Sequence, residues 1–301
     1  PQGGVSQVQR AQMVTQEGGN VSVCAVEGNF DDAQTGVKQI FTAFQGKELP
    51  FLLSSANSIN IGRLAPQIMY YFRCYADLLN RKVIALGDPV DFCVPTGNFG
   101  DILAGYFAKK LGLPVGRLIC ASNANNVLTE FLTTGIYDRR RPLHKTTSPS
   151  MDILVSSNLE RLLYLLSEDQ ALVAALMEDL SQKGYYQVPE ELLSAIQKEF
   201  GAGCCDDETA KETIGKVYKA QGYLMDPHTA CGWAAAEGHR GDATMVVLST
   251  ASPYKFSSAV LSAIGGDVSG SEFERMDRLQ ALTGVPIPPN LRSLRGKPEL
   301  H

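Results

Sequence analysis

Apolar and polar positions alternate in two different periods along the first half of the chain. Residues 21–26 alternate in the period of two that is typical of a strand, and 51–53 form a second short apolar run. Apolar residues three or four positions apart predict helices over 37–44 and 61–79. Strands that alternate with helices predict a parallel sheet with helices on both faces.

The pattern continues with strands at 90–94 and 115–121, which are followed by helices at 102–108 and 125–132. From about residue 156 it becomes mostly helical. Helix signals are a capping box at Ser167 and Gln170, Pro189, an aspartate cap at 206 or 207, and Asp226 before a proline. A buried apolar strand at 244–248 then ends in the hydroxyl residues of 249–252.

A glycine-rich turn at 95–101 joins the strand at 90–94 to the helix that follows it. The start of a helix carries free backbone N–H groups and the positive end of the helix dipole, and glycine lets a ligand approach the backbone closely. This arrangement predicts an anion site, typically for phosphate. The spacing of Gly97 and Gly100 fits neither a P-loop nor a full dinucleotide motif. The alternative is an ordinary strand–helix turn in which Asp101 only caps the helix.

Length and charge exclude several classes of protein. The 301 residues suffice for about two domains, and a net charge of -5 without a basic cluster argues against nucleic acid as a partner. No apolar run reaches the length of a membrane span, and no signal peptide opens the sequence. The seven cysteines are odd in number and scattered, without metal-ligand spacing. They predict reduced core residues in a cytoplasmic protein that has no metal site.

Several short motifs, in order along the whole chain, resemble threonine synthase, a pyridoxal-phosphate (PLP) enzyme of fold type II. Each motif alone is modest, but the ordered set is specific. The motifs stand at 3–9, 25–32, 55–63, 94–105, 151–153, 158–162, 226–230 and 248–251.

The resemblance implies a fold, a cofactor and a reaction. The fold is α/β with two three-layer αβα domains and mostly parallel sheets. Residues 1–85 would be the remainder of the smaller domain, and 86–301 the larger cofactor-binding domain with a helical C-terminal half. The reaction is the PLP-dependent conversion of O-phospho-L-homoserine and water to L-threonine and phosphate, a lyase step of threonine biosynthesis in which the cofactor is an electron sink.

The resemblance also implies roles for particular residues. The turn would bind the phosphate of PLP through backbone N–H groups, and Thr250 would face the pyridine nitrogen. The alternative for Thr250 is an ordinary threonine at the end of a strand. The turn residues are Gly97, Asn98, Phe99, Gly100 and Asp101.

Asn57, Ser58 and Arg63 match the segment that holds the phosphate of the substrate. A planar guanidinium can donate two hydrogen bonds to a phosphate. A cation in the first turn of a helix opposes the helix dipole, and a bound phosphate would offset that conflict. The alternative is that Asn57 and Ser58 cap the helix while Arg63 is solvated. His228 and Asp152 are predicted to have structural roles, in packing and in a local cap or domain interface.

The Schiff-base lysine of the family has no counterpart in this sequence, because the family places it upstream of anything that matches Pro1. We therefore expect the isolated chain to be inactive and poorly soluble, and to need the missing N-terminal segment. One alternative is another fold-type-II enzyme, such as a serine/threonine dehydratase or a threonine-synthase-like phospho-lyase. Another is an inactive cofactor-binding fragment.

Overall fold

A four-stranded parallel sheet lies at the centre of the computed structural model, which describes residues 5–28, 30–57 and 60–300. Parts of the quoted motifs, at 3–4, 29 and 58–59, lie outside the described residues. The strand order is β5-β2-β1-β6, and β3 pairs with β4 in a separate antiparallel ribbon. The strands are β1 (Val90–Pro95), β2 (Val115–Ser122), β3 (Ile136–Asp138), β4 (Tyr185–Gln187), β5 (Phe200–Cys204) and β6 (Thr244–Val247).

Helices connect the strands and make up most of the second half of the chain. The first group is α1 (Gln7–Val14), α2 (Phe30–Phe44), α3 (Ile61–Leu64), α4 (Ile68–Asn80), α5 (Gly100–Lys110), α6 (Val127–Thr134) and α7 (Leu159–Ser167). The second group is α8 (Gln170–Gln182), α9 (Glu190–Glu199), α10 (Asp207–Gln221), α11 (Pro227–Glu237), α12 (Ser257–Ala263), α13 (Glu272–Thr283) and α14 (Pro289–Arg292).

Both faces of the central sheet are covered. Alternate residues of β1 point to opposite faces, so Phe92 belongs to the main core with α4 and α5. Cys93 belongs to a second cluster on the other face, together with Ala235 and Ala236 of α11. Burial on two sides explains why β1 is apolar at almost every position. The α/β fold with a parallel sheet is as predicted.

The segment that carries Arg63 is one helical rod. A 3-10 turn at Ala65–Gln67 joins α3 to α4 without a break. The Tyr71 hydroxyl donates to the Asp101 carbonyl at 2.6 Å, near the carboxyl end of β1, and Tyr75 donates to the Asp88 carbonyl at 3.1 Å, before the strand begins. The rod therefore runs antiparallel to β1, and its N-terminus extends toward the carboxyl edge of the sheet.

Close contact between this rod and α5 depends on a glycine. A Cβ added at Gly105 would lie 2.7 Å from the Tyr71 ring and 2.9 Å from Leu118. We expect Gly105→Ala to lower the free energy of unfolding by about 1–3 kcal/mol through overpacking. Gly36→Ala in α2 is the control, because nothing lies within 4 Å of its Cβ, and it should stabilise by about 0.5–1 kcal/mol. Urea unfolding of both variants measures this, and equal shifts would contradict it.

Several sequence predictions differ from the structure. Residues 21–26 and 51–53 are not strands; they are largely exposed, and no described strand lies beside them to complete their backbone hydrogen bonds. The capping box at Ser167 is also wrong, because Ser167 ends α7 and Asp169 caps α8 by accepting from the Leu172 amide at 2.9 Å. Strand β6 is only half-buried, since it is an edge strand among the described residues.

Candidate functional site

The glycine-rich turn leaves the carboxyl end of β1 and enters α5. The Thr96 amide donates to the Ala121 carbonyl of β2 at 2.8 Å, which extends the sheet pairing to the start of the turn. Phe99 is the N-cap of α5 and has a left-handed backbone, with φ of 64°. A side chain at that φ is costly, and complete burial of Phe99 against Phe200 holds it there.

Two carbonyls at the centre of the turn are hydrogen-bonded, whereas the amides beside them have no acceptor among the described residues. The Ser156 hydroxyl donates to the Gly97 carbonyl at 2.9 Å, and the Asn158 side chain donates to the Asn98 carbonyl at 2.8 Å. In the described part of the chain, the amides of Gly97, Asn98 and Gly100 have no acceptor. The turn is thus fixed from one side and presents a group of donors on the other, which is the geometry of an anion site.

Two buried polar atoms next to the turn also lack partners. Within the described residues nothing bonds to Asn98 Oδ1 or to the Ser157 hydroxyl, although both are shielded from solvent. An unpaired buried polar group is costly and calls for an explanation. Ser157 lies between Ser156 and Asn158, both of which bond to the turn, so its unpaired hydroxyl is close to the candidate site.

Glycine is required at position 97 for a steric reason. Its Cβ would lie 2.6 Å from the Ser150 carbonyl oxygen, much closer than van der Waals contact allows. Ser150 belongs to the 3-10 turn Pro149–Met151, whose Met151 is buried in the C-terminal core. The 3-10 turn therefore supports the back of the glycine-rich turn.

Asp101 lies in the first turn of α5, whose N-cap is Phe99 rather than Asp101. Its carboxylate accepts from the Ile102 amide at 2.9 Å, but burial dominates and raises the pKa of Asp101 to about 6. Between the ordinary pKa near 3.8 and about 6, the folded state binds a proton that the unfolded chain has released. The free energy of unfolding should therefore fall as the pH rises through this window.

We expect Asp101→Asn to remove the part of the pH dependence of stability that comes from the Asp101 carboxyl group. Its stability relative to the native chain should increase from pH 4 to pH 6 and stay constant above, by up to about 2–3 kcal/mol. Thermal melts of both proteins between pH 4 and 8 measure the difference. A difference that does not change with pH would contradict this account of the Asp101 carboxyl.

Thr250 lies beyond the strand next to β1. Strands β1 and β6 are parallel, with Cys93 opposite Val247, and the Leu248 amide donates to the Cys93 carbonyl at 3.0 Å. Thr250 follows two residues later and is exposed. It is therefore at the same carboxyl edge of the sheet as the glycine-rich turn, which is the usual ligand position in such sheets.

Arg63 and Asn57 lie at the same end of the molecule, because the rod of α3 and α4 points there. Arg63 is exposed, and its guanidinium donates to the Ala56 carbonyl. Asn60, rather than Asn57, caps α3 by accepting from the Gly62 amide at 2.9 Å. Ser58 is outside the described residues.

Two carboxylates organise the loops behind the site: Asp152, which is partly buried, and Asp226, which is fully buried. Asp152 accepts from the side chains of Asn123 at 2.8 Å and Asn125 at 3.0 Å, and from the Thr146 amide at 3.0 Å. Asp226 bonds to His228, whose ring packs on Phe256 with centroids 4.8 Å apart. The local roles predicted for Asp152 and His228 match these contacts, but no sequence pattern identified the partners of either residue.

Known proteins resemble this chain along nearly all of it. Residues 229–299 match the family described as "Threonine synthase, C-terminal". A threonine synthase of Pseudomonas aeruginosa is 45% identical over 269 residues, which are 87% of this chain and 55% of that protein. The PLP-bound threonine synthase structure from Brucella melitensis is 41% identical with a TM-score of 0.80, covering 97% of this chain and 58% of that one. The sequence and fold of this chain match part of the threonine synthases along nearly its whole length.

The relatives are longer than this chain. Human "Threonine synthase-like 1" is 42% identical over 272 residues, which are 88% of this chain but 37% of the relative. The chain thus spans about 40 to 60% of the relatives it matches. Its architecture is that of the fold-type-II threonine synthases. Among residues 5–28, 30–57 and 60–300, no helix is both long enough and apolar enough to cross a membrane.

Proposed function

We propose that this chain forms the phosphate-binding part of a PLP-dependent threonine synthase active site. The observation that carries the proposal is the group of free amides at Gly97, Asn98 and Gly100, fixed by hydrogen bonds to the carbonyls on its other side. The similarity to threonine synthases, one of them solved with PLP bound, supports PLP as the ligand. The proposed reaction converts O-phospho-L-homoserine and water to L-threonine and phosphate.

Each part of the site has its own task in this proposal. The amides and the start of α5 hold the cofactor phosphate through hydrogen bonds and the helix dipole. Thr250 offers a hydroxyl, a weak partner, to the pyridine nitrogen, which leaves that nitrogen largely unprotonated. When bound, PLP supplies an electron sink for the substrate. The division into a smaller domain at 1–85 and a larger one at 86–301, and a cytoplasmic location, remain part of this proposal.

PLP titration of the chain tests the cofactor, with fluorescence as the measurement. PLP should bind and inorganic phosphate should compete with it, whereas pyridoxal without its phosphate should bind at least tenfold more weakly. Equal binding of PLP and pyridoxal would contradict the phosphate site. Borohydride reduction then shows whether any lysine of this chain bonds to the cofactor; we expect no adduct and no release of threonine by the chain alone.

Arg63, with Asn57 and Ser58, is proposed to hold the phosphate of the substrate. Loss of a guanidinium–phosphate contact costs about 1.5–3 kcal/mol, so Arg63→Ala should weaken binding of O-phospho-L-homoserine 10- to 100-fold. Calorimetry on the PLP-loaded chain measures this. Arg73→Ala is the control, since Arg73 is exposed on α4 and, among the residues that the structure describes, its ion pair is with Asp77 at 3.1 Å. Equal effects of the two variants would contradict the role of Arg63.

The same experiment separates the alternative functions. A serine/threonine dehydratase would bind an unphosphorylated hydroxy-amino acid regardless of Arg63. A threonine-synthase-like phospho-lyase would also bind O-phospho-L-homoserine through Arg63, and its product, measured on an active enzyme that includes the Schiff-base lysine, would separate it from a threonine synthase. A fragment that binds only the cofactor would bind PLP and none of these amino acids.

A further inference from the structure

Asp226 is a buried carboxylate with three donors around it. It is fully shielded from solvent and caps α11, accepting from the His228 amide at 2.9 Å. The His228 ring lies 2.8 Å away through Nδ1, and the Thr229 hydroxyl donates to the second carboxylate oxygen. A helix cap needs only the first of these bonds. The other two lead away from the helix in different directions.

One direction leads to the glycine-rich turn. His228 Nε2 accepts from the Ser150 amide at 3.3 Å, so Nδ1 carries the proton and donates it to Asp226. A Cβ added at Gly97 would lie 2.6 Å from the carbonyl oxygen of the same Ser150. Asp226 therefore fixes the His228 ring, the ring holds Ser150, and Ser150 supports the turn.

The other direction leads to Thr250. The Thr229 hydroxyl lies 3.4 Å from the Ser249 hydroxyl, at the end of β6. Ser249 directly precedes Thr250 in the chain. Asp226 orients the Thr229 hydroxyl, because that hydroxyl donates to the carboxylate. The two segments of the candidate site are thus connected through one buried carboxylate.

We infer that Asp226 is a positioning residue that sets the glycine-rich turn and the end of β6 relative to each other. The inference rests on the proposed function in one respect, namely that both segments hold the same ligand. His228 positions the part that binds the phosphate, and Thr229 positions the part that faces the ring. Neither residue touches the ligand in this account.

The test uses two variants that each remove one connection. His228→Leu keeps an apolar side chain against Phe256 but removes both ring nitrogens. Thr229→Val keeps the shape of the side chain and removes the hydroxyl, and Thr229→Ser restores it. The control is Asp206→Asn, since Asp206 is also an aspartate helix cap, accepting from the Thr209 amide at 2.8 Å, but has no part in the network.

Two measurements separate positioning from mere stability. His228→Leu should weaken the binding of PLP about tenfold and make inorganic phosphate about tenfold less effective as a competitor. The spectrum of the bound cofactor should not change. Thr229→Val should shift that spectrum and leave phosphate competition within twofold of the native chain, and Thr229→Ser should restore it. Asp226→Asn should change both quantities, and Asp206→Asn neither.

Hydrogen exchange without ligand keeps this inference separate from the proposed function. His228→Leu should speed exchange of the Ser150 amide at least tenfold, and Thr229→Val should speed exchange at 249–251, whereas the control should do neither. This result holds even if PLP never binds, a failure that would count against the proposed function alone. If the exchange rates of both segments simply followed the melting temperature of each variant, the positioning role would be overturned.

Discussion

Replacing Gly97 by alanine is expected to weaken PLP binding by 10- to 100-fold. The added Cβ would lie 2.6 Å from the Ser150 carbonyl oxygen, and a backbone atom held in a 3-10 turn cannot move aside easily. The turn must shift instead, and its amides then no longer converge on one phosphate. A loss of about 1.4–2.8 kcal/mol in the free energy of binding corresponds to this 10- to 100-fold range.

Gly238→Ala is the matched control for this prediction. Gly238 ends α11 with a φ of -74°, and the atom nearest to its Cβ would be 3.6 Å away, an ordinary contact. Fluorescence titration with PLP compares the two variants, and a thermal melt reports whether each remains folded. Native affinity in a folded Gly97→Ala variant would show that the phosphate does not bind at this turn.

Replacing Asp226 by alanine is expected to lower the free energy of unfolding by about 3–5 kcal/mol. Three buried donors, the His228 amide, its ring and the Thr229 hydroxyl, would lose their acceptor together. Each unsatisfied donor costs about 1–3 kcal/mol, and water cannot reach the site to replace the carboxylate. Chemical denaturation measures the loss.

Asp206→Ala shows how much of that loss belongs to the helix cap. Asp206 caps α10 from an exposed position, so its removal should cost only about 1 kcal/mol. Asp226→Ala should therefore be at least three times as destabilising. Equal losses in the two variants would mean that the bonds to the His228 ring and to Thr229 contribute nothing to stability.

Local patterns predicted the elements that build the site. Strand β1, the turn and α5 follow from a short apolar run, glycines and a second apolar run, all between Val90 and Lys110. The sequence did not predict strand β5, because glycines such as Gly201 and Gly203 weaken the interior of a strand. The structure explains them: a Cβ at Gly203 would lie 3.0 Å from that of Ala235, so glycine lets α11 approach the sheet.

Contacts between distant segments could not be predicted in the same way. The bond from Ser150 to His228 joins residues 78 positions apart, and the bond from Asn158 to Asn98 joins residues 60 apart. Nothing in the local spacing of either pair indicates that they meet. The strands expected at 21–26 and 51–53 failed for a related reason, since a strand forms only where a neighbour pairs with it.

A crystal structure of the chain with PLP tests the central claim most directly. We expect the phosphate of PLP within hydrogen-bond distance, about 2.7–3.2 Å, of the amides of Gly97, Asn98 and Gly100, with the ring directed toward Thr250. Phosphate bound elsewhere, with these amides facing only solvent, would contradict the account.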